Sequence, residues 1–254
     1  MRLRQVALIA RQIAPVAEAL EAIFGLKVGF RDPAVGVFGL ANVVMPVGGE
    51  FLEVLEPIRP DASGARYLDR RGGDAGYMVI LQDDDALAHR ARLEAAAVRV
   101  IAARGEGRYR FTHFHPGDCA GVLLSIDSVE GDQAWREERS DWPPAGPAWR
   151  GFESQTSLGI RAVTLQARDP QAAAQRWSML LDRPIDGEGG ALTLRLERGA
   201  IAFVAPVDED GTGVVGLDIA VDDVDGVLAR AQAFGADVRD RAVMICGTAL
   251  RPVI

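Results

Sequence analysis

Residues 51–57 read Phe51-Leu52-Glu53-Val54-Leu55-Glu56-Pro57. The run alternates like a β-strand, whose successive side chains point to opposite faces. Phe51, Glu53 and Leu55 therefore share one face, and Leu52, Val54 and Glu56 share the other. Whichever face is buried, it carries an acidic group among apolar ones. A carboxylate there is costly unless a cation, a proton or hydrogen-bond donors meet it. A strand can also carry one such Glu on a solvated face, so the stretch alone does not assign Glu53 a role. The surrounding chain adds weight, because it is built from repeated strands of this kind.

Upstream, Val6 to Ala10 reads as a buried strand, and helical spacing of Val16, Leu20, Ile23 and Phe24 predicts a helix over 14–25 that stops at Gly25. Apolar pieces at 28–30, 35–40 and 42–45 read as short strands leading into the Phe51 stretch. Residues 58–73, rich in Pro, Asp, Gly and Arg, read as a loop. The pattern then restarts, with a strand over 77–81, a helix over 84–97 opened by Asp83-Asp84-Asp85, and strands at 98–101, 109–115 and 122–126. Residues 131–157 form a Trp- and Pro-rich linker in which Trp135, Trp142 and Trp149 predict that it lies against the protein.

Past the linker the chain repeats itself. Arg161-Ala-Val-Thr-Leu-Gln-Ala-Arg matches Arg4-Gln-Val-Ala-Leu-Ile-Ala-Arg at a shift of 157 (161 − 4), and residues 216–238 match 76–98 at a shift of 140 (216 − 76). Further helices are expected over 170–182 and 223–235. Four units of strand, helix and strands result, paired into two halves: domains at 1–130 and 158–254 joined by the linker at 131–157. The predicted fold class is α+β, made of tandem βαβββ modules with the helices outside curved sheets.

Bulk properties narrow the function. The 254 residues carry a net charge of −8 with no basic cluster, which argues against nucleic-acid binding. No apolar run is long enough for a membrane span or a signal-peptide core. Cys119 and Cys246 are the only cysteines, too few for a disulfide framework, so a cytoplasmic setting is expected. His89, His113 and His115 are the only histidines.

Paired modules of this order resemble the vicinal oxygen chelate superfamily, which includes glyoxalase I, methylmalonyl-CoA epimerase, bleomycin-resistance proteins and extradiol dioxygenases. Three segments carry the resemblance: Leu3-Arg-Gln-Val-Ala-Leu, Phe51-Leu-Glu-Val-Leu-Glu-Pro and Phe114-His-Pro-Gly-Asp-Cys-Ala-Gly-Val-Leu-Leu-Ser. The resemblance implies a cup formed by two modules, with a divalent metal held on the first and last strands of each. Carried over, those positions are Gln5, Glu53, Gly76 and Ser125, of which only Glu53 is a strong ligand. A catalytic metal normally needs about three protein ligands, so no tightly bound metal is expected at these four positions, and no other cofactor is expected. In the second half the counterparts of Gln5, Glu53 and Gly76 are Ala162, Ala202 and Gly216. That half holds no histidine, so an extradiol dioxygenase, which needs two His and a carboxylate, is not expected.

His113 and His115 stand at i and i+2, on one face of a strand. Either is accounted for by a structural role, His115 as a turn residue before Pro116. The alternative sets them with Glu53, either as acid–base groups or as the three ligands of a rearranged metal site. Arg66, Arg70 and Arg71, beside Gly72-Gly73, are solvated loop residues or, for Arg70 and Arg71, anchors for an acidic substrate. Gln5 and Ser125 complete the candidate substrate-binding set. The expectation is a glyoxalase-like small-molecule lyase or isomerase with a degenerate metal site and its pocket in the first domain. The alternative is a metal-free protein that binds or sequesters a small molecule, as bleomycin-resistance proteins do, so catalysis stays open. The expected partner is a small organic acid or carbonyl compound, and a homodimer is compatible with either reading. The second cup is expected to be shallower and apolar.

Overall fold

Strand β1 (Arg2–Ile9) is buried along its whole length, with Val6 and Leu8 in one apolar cluster and Ala7 and Ile9 in another. A strand covered on both faces needs a layer on each side, and the rest of the fold supplies them. The computed structural model describes residues 1–187 and 192–254. After β1 come α1 (Ile13–Phe24), β2 (Leu40–Val47), β3 (Glu50–Pro57), α2 (Ser63–Arg71), β4 (Ala75–Gln82), α3 (Ala86–Ala95), β5 (Val100–Arg104), β6 (Tyr109–Phe114) and β7 (Leu123–Val129). The second half holds β8 (Ser157–Gln166), α4 (Pro170–Leu181), β9 (Ile185–Asp186), β10 (Leu192–Arg195), β11 (Ala200–Val204), β12 (Gly213–Val221), α5 (Val224–Phe234), β13 (Val238–Arg239), β14 (Ala242–Ile245) and β15 (Thr248–Val253).

The strands form a seven-stranded sheet, ordered β2-β3-β1-β4-β7-β6-β5, and an eight-stranded sheet, ordered β13-β14-β15-β12-β8-β11-β10-β9. In each, two modules meet through their opening strands, β1 antiparallel to β4 and β8 antiparallel to β12. Each opening strand also pairs in parallel with its module's closing strand. The α+β reading with tandem βαβββ modules is correct. No helix of the described residues is long and apolar enough to cross a membrane.

The four expected helices are present within two residues at each end. In α1, Val16, Leu20, Ile23 and Phe24 are buried, and Gly25 ends the helix in the left-handed conformation at φ 66°. Its start has no side-chain cap of its own. Glu56, whose face of β3 turns toward the helix, accepts from the Ile13 amide at 2.7 Å.

Two local expectations need correction. Residues 58–73 are not all loop, because Ser63–Arg71 is a helix that buries Gly64 and Leu68 and ends at left-handed Gly72. Its length of nine residues and two buried positions are too slight a periodicity to outweigh the flanking Pro and Gly. In the first module, 28–30 leaves only a bridge between Phe30 and Val44, and Pro33–Phe38 winds into a 3-10 turn. There Asp32 accepts from the Ala34 amide, Pro33 sits in the first turn, and Gly39 closes the turn at φ 73°.

Helices α1, α3, α4 and α5 cover the faces opposite the two cups, as expected, and those covered faces meet each other, whereas α2 packs on the cup side, where Leu68 joins Ala7, Phe51 and Ile80. One apolar cluster takes in Leu8, Leu52 and Val54 from the first sheet, Val163, Leu165 and Leu217 from the second, and the buried faces of α1, α4 and α5. Arg230 of α5 donates to the Ile23 carbonyl of α1 at 2.9 Å, and Arg92 of α3 donates to the Leu180 carbonyl of α4 at 2.6 Å. The two cups therefore open away from each other.

At the centre, Gly76 of β4 approaches Val214 of β12 so closely that an added Cβ would stand 2.4 Å from the Val214 carbonyl oxygen. Gly76→Ala should push the sheets apart at a cost of roughly 1–3 kcal/mol. Thermal unfolding should show a drop of several degrees with native circular dichroism retained, and an unchanged Tm would mean that the halves do not rely on this contact.

Candidate active site in the first cup

Register alone fixes the first cup's floor. Gln5 pairs with Phe51 and Ala7 with Glu53 across β1–β3, and Gln5 pairs with Ile80 and Ala7 with Met78 across β1–β4. Ile80 stands beside Ser125, and Ser125 and Asp127 stand opposite His113 and Phe111. These side chains face one way, opposite to α1 and α3. The sheet curls enough that Phe38, in the 3-10 turn of the first module, brings its ring within 5.8 Å of His113 in the second.

The linker fills part of this cup. Trp135, Trp142 and Trp149 are all buried, which agrees with a linker lying against the protein. Trp142 stacks on Phe51 at 6.5 Å and meets Tyr109 edge-on at 5.6 Å, while Trp149 meets Phe51 edge-on at 5.0 Å.

Trp142 also sets the polarity of the floor. Its indole N–H can only donate, and it donates to Gln5 Oε1 at 2.8 Å. Gln5 must then present its NH2 group to Glu53, and Nε2 donates to Glu53 Oε2 at 2.8 Å. On the other side the Asp32 amide donates to Asn42 Oδ1 at 2.8 Å, so Asn42 Nδ2 donates to Glu53 Oε1 at 2.6 Å. Both carboxylate oxygens therefore accept, from amides whose orientation is fixed by donors that cannot accept. Burial raises the Glu53 pKa, and the Asn42 and Gln5 bonds pull it back. Those bonds favour the ionised form. Each oxygen keeps a second lone pair.

A second buried carboxylate, Asp127, lies outside the expected set. It accepts from the Tyr109 hydroxyl at 2.5 Å and from the Ser125 hydroxyl. Burial pushes its pKa up to about 7, against the pull of those two bonds. Burial and the adjacent Asp127 charge raise Tyr109 well above its ordinary value. Burial also takes His113 down to about 4, so it is neutral at physiological pH.

The other expected site residues sit as follows. Ser125 is on the floor, at 0 % exposure, bonded to Asp127 rather than open to a ligand. His115 lies beyond β6, where its Nδ1 accepts from the Gly117 amide at 3.0 Å, the turn role. Arg71 is held by the second half, donating to the Thr212 carbonyl at 2.9 Å and pairing with Asp208 at 3.0 Å and Asp210 at 3.1 Å. Arg70 is exposed, with its guanidinium 5.3 Å from the Tyr67 ring centre. Gly76 is not on the floor. Ala7 pairs with Glu53 and Ile80 with Ser125, so Ala7 and Ile80 are twofold counterparts, and the counterpart of Gln5, two residues before Ala7, is Met78, two residues before Ile80.

The fold family's divalent metal does not fit these residues. The four positions are Gln5, Glu53, Met78 and Ser125. Gln5 Oε1 is taken by Trp142, Ser125 donates to Asp127, and the thioether of Met78 is a soft donor. Glu53 alone offers a hard anionic oxygen.

The second cup differs in kind. Ala162, Thr164, Ala202 and Asp218 share its floor by register, and all four are half-buried. Asp218, with Arg251 at 3.4 Å, makes that floor less apolar than expected.

Asp127 has a measurable consequence. Its folded pKa of about 7 lies above its ordinary 3.8, so the native state holds the proton more tightly. The stability this confers is fully present below about pH 4 and lost as pH rises through 7. Asp127→Asn should abolish that loss, so the difference in unfolding free energy between variant and wild type should move in the variant's favour between pH 5 and 8. A difference that does not change with pH would show Asp127 to be solvated.

The family model of a glyoxalase-like domain matches residues 6–181, and a second glyoxalase-like domain model matches residues 162–244. No curated protein matches. Among solved structures, a mutant 4-hydroxymandelate synthase from Streptomyces coelicolor is 18% identical with a TM-score of 0.70, over 92% of this chain and 75% of that one. A hypothetical protein from Staphylococcus aureus is 12% identical with a TM-score of 0.67, over 99% of both chains. A variant of Streptomyces coelicolor methylmalonyl-CoA epimerase in complex with 2-nitronate-propionyl-CoA is 21% identical, with a TM-score of 0.47, over 52% of this chain and 99% of that one. At these identities the likeness is one of fold. The family model spans more than half the chain, across the linker and into the second half, and the chain belongs to the glyoxalase-like domain family of the vicinal oxygen chelate superfamily.

Proposed function

We propose that the first cup is an acid–base site, in which Glu53 removes a proton from carbon beside a carbonyl of a small molecule, as a metal-independent lyase or isomerase requires. The observation that carries this reading is the pair of oriented amides on Glu53. They hold the group as an ionised acceptor at a buried site where desolvation makes it more basic than a surface carboxylate. Asp127, with a pKa of about 7, is the group suited to return a proton at neutral pH. The Tyr109 hydroxyl donates to Asp127, and its ring continues the half-buried row of Phe111 and His113. His113, neutral and packed on Phe111, shapes the pocket instead of carrying charge. A small carbonyl compound suits this chemistry better than an organic acid, since Arg71 is engaged by Asp208 and Asp210.

A metal-free binding protein is the second reading. Trp142, seated in the cup and bonded to Gln5, favours it by narrowing the space in which a reaction could proceed.

Proton NMR in deuterium oxide separates the two. With a panel of α-hydroxy ketones, 2-oxo acids and amino ketones, the wild type should exchange protons next to the carbonyl of at least one compound. Glu53→Gln, which keeps the shape and loses the base, should slow that exchange by about 100-fold or more. Binding without exchange in any compound would leave sequestration as the function.

A further inference from the structure

The two floor carboxylates have no counter-charge. Among the described residues no Lys, Arg or His side chain lies within ion-pair distance of Glu53, of Asp127, or of the half-buried Asp32 behind Asn42. The donors that meet them are neutral: two side-chain amides on Glu53, two hydroxyls on Asp127 and the Ala34 backbone N–H on Asp32. A buried anion held only by neutral donors remains costly, and a cation brought by a ligand would lower that cost.

Two further observations point to a ligand. Gln82 of β4 stands beside Asp127 on the same face, is 0 % exposed, and neither its amide oxygen nor its amide nitrogen has a partner. Native interiors rarely leave a whole side-chain amide unpaired. Beside Asp127, on β6 and reaching Phe38 of the first module, runs a continuous aromatic wall. Its ring centres are 5.8 Å apart from Phe38 to His113, 4.6 Å from His113 to Phe111, and 5.9 Å from Phe111 to Tyr109. Tyr109, Phe111 and His113 are half-buried, so their faces are partly open. Such faces attract cations, and the Arg104 guanidinium already lies 6.0 Å from the Phe111 ring centre.

We infer that the first cup receives an organic ammonium ion, a protonated amine whose charge is met by the floor carboxylates Glu53 and Asp127 and whose apolar part lies along the Tyr109–Phe111–His113 wall. The N–H groups of a protonated amine suit the spare lone pairs of carboxylates that already accept two bonds each. A bare divalent metal suits them less, because Gln5 Oε1 and the Ser125 hydroxyl are already engaged and the two carboxylates alone fall short of the about three protein ligands such a metal normally takes. An organic anion would meet like charge. The rim arginines do not change this, since Arg70 lies on Tyr67 and Arg66 donates to the Asp61 carbonyl. This inference rests on reading the first cup as the binding site. Joined to the proton-transfer reading, it makes the substrate class an amine that also carries a carbonyl.

The test titrates the full chain with benzylammonium, benzyl alcohol and benzoate by calorimetry and by NMR. Benzylammonium should bind, with the alcohol at least tenfold weaker and benzoate without detectable binding. Glu53→Gln and Asp127→Asn should each weaken benzylammonium tenfold or more. Should either fail to fold, Phe111→Leu, which thins the wall without touching the carboxylates, should weaken it about fivefold. Benzoate or benzyl alcohol binding as tightly as benzylammonium would overturn the inference. So would no benzylammonium binding, or equal binding by the folded variants. If the ammonium binds and no compound undergoes proton exchange, the proton-transfer reading fails while this one stands. Exchange with anionic or neutral compounds alone, without ammonium binding, overturns this inference and leaves the proton-transfer reading standing.

Discussion

Two arginines on the first strand hold the arrangement together. Arg2 and Arg4 are both 0 % exposed, and burial lowers the pKa of each. A guanidinium survives in such a place only when its N–H groups are met. Arg2 donates to Glu50 at 2.8 Å, to the Gly49 carbonyl at 2.9 Å and to the Glu137 carbonyl at 2.6 Å. Arg4 donates to the Gly49 carbonyl at 2.5 Å and the Ser140 carbonyl at 2.7 Å. Most of these acceptors are backbone carbonyls of the β2–β3 turn and of the linker. The charge cannot be buried unless the linker lies across the cup, and the linker cannot lie there without supplying those carbonyls. Trp142, two residues past Ser140, is thereby delivered to Gln5, and through Gln5 to Glu53.

Glu50 extends the same constraint to the second half. Besides Arg2 it meets Arg198 at 3.4 Å and the Ile160 amide at 3.2 Å. One carboxylate next to the site's strand thus ties β1, β3, β8 and the turn before β11. Arg71 does the same from α2 through Asp208 and Asp210. The arginine that the loop composition offered as a substrate anchor is a fastener between halves. Its spacing beside Gly72-Gly73 could not distinguish these roles, because the partner lies 137 residues away.

What could be read from the sequence follows from which interactions are local. The internal repeat, the helix stop at Gly25 and the alternation of β3 depend on local sequence, and all are present in the fold. Glu53 could be singled out because a charge in an alternating apolar strand is locally anomalous. Asp127 carries the same signal, since Ser125 and Asp127 alternate with Ile126, but the apolar run that marks the strand stops at Ile126, one residue short of it. Tyr109, Phe111 and His113 likewise share one face, although only the histidine stands out as a titratable group near neutral pH. The amides on Glu53 are harder to see. Gln5 is reached only through the family resemblance, and Asn42 and Trp142 are ordinary residues until folding brings them to Glu53 and Gln5.

The unequal halves follow from the same physics. In the first half a buried carboxylate persists because Asn42, Gln5 and Trp142 surround it, and Trp142 is present only because Arg2 and Arg4 fix the linker. The second half has no such strap across its cup among the described residues. Its counterparts of Gln5 and Glu53 are Ala162 and Ala202, half-buried and without polar side-chain atoms to satisfy. Its own buried amide, Gln166, is turned to structural use, donating to Asp208 at 2.6 Å and accepting from the Val207 amide at 2.8 Å. Asp208 is the group that also receives Arg71. Polar side chains in the second half therefore serve to hold the first, and the orphaned amide, the unpaired carboxylates and the open aromatic wall are left together in one cup.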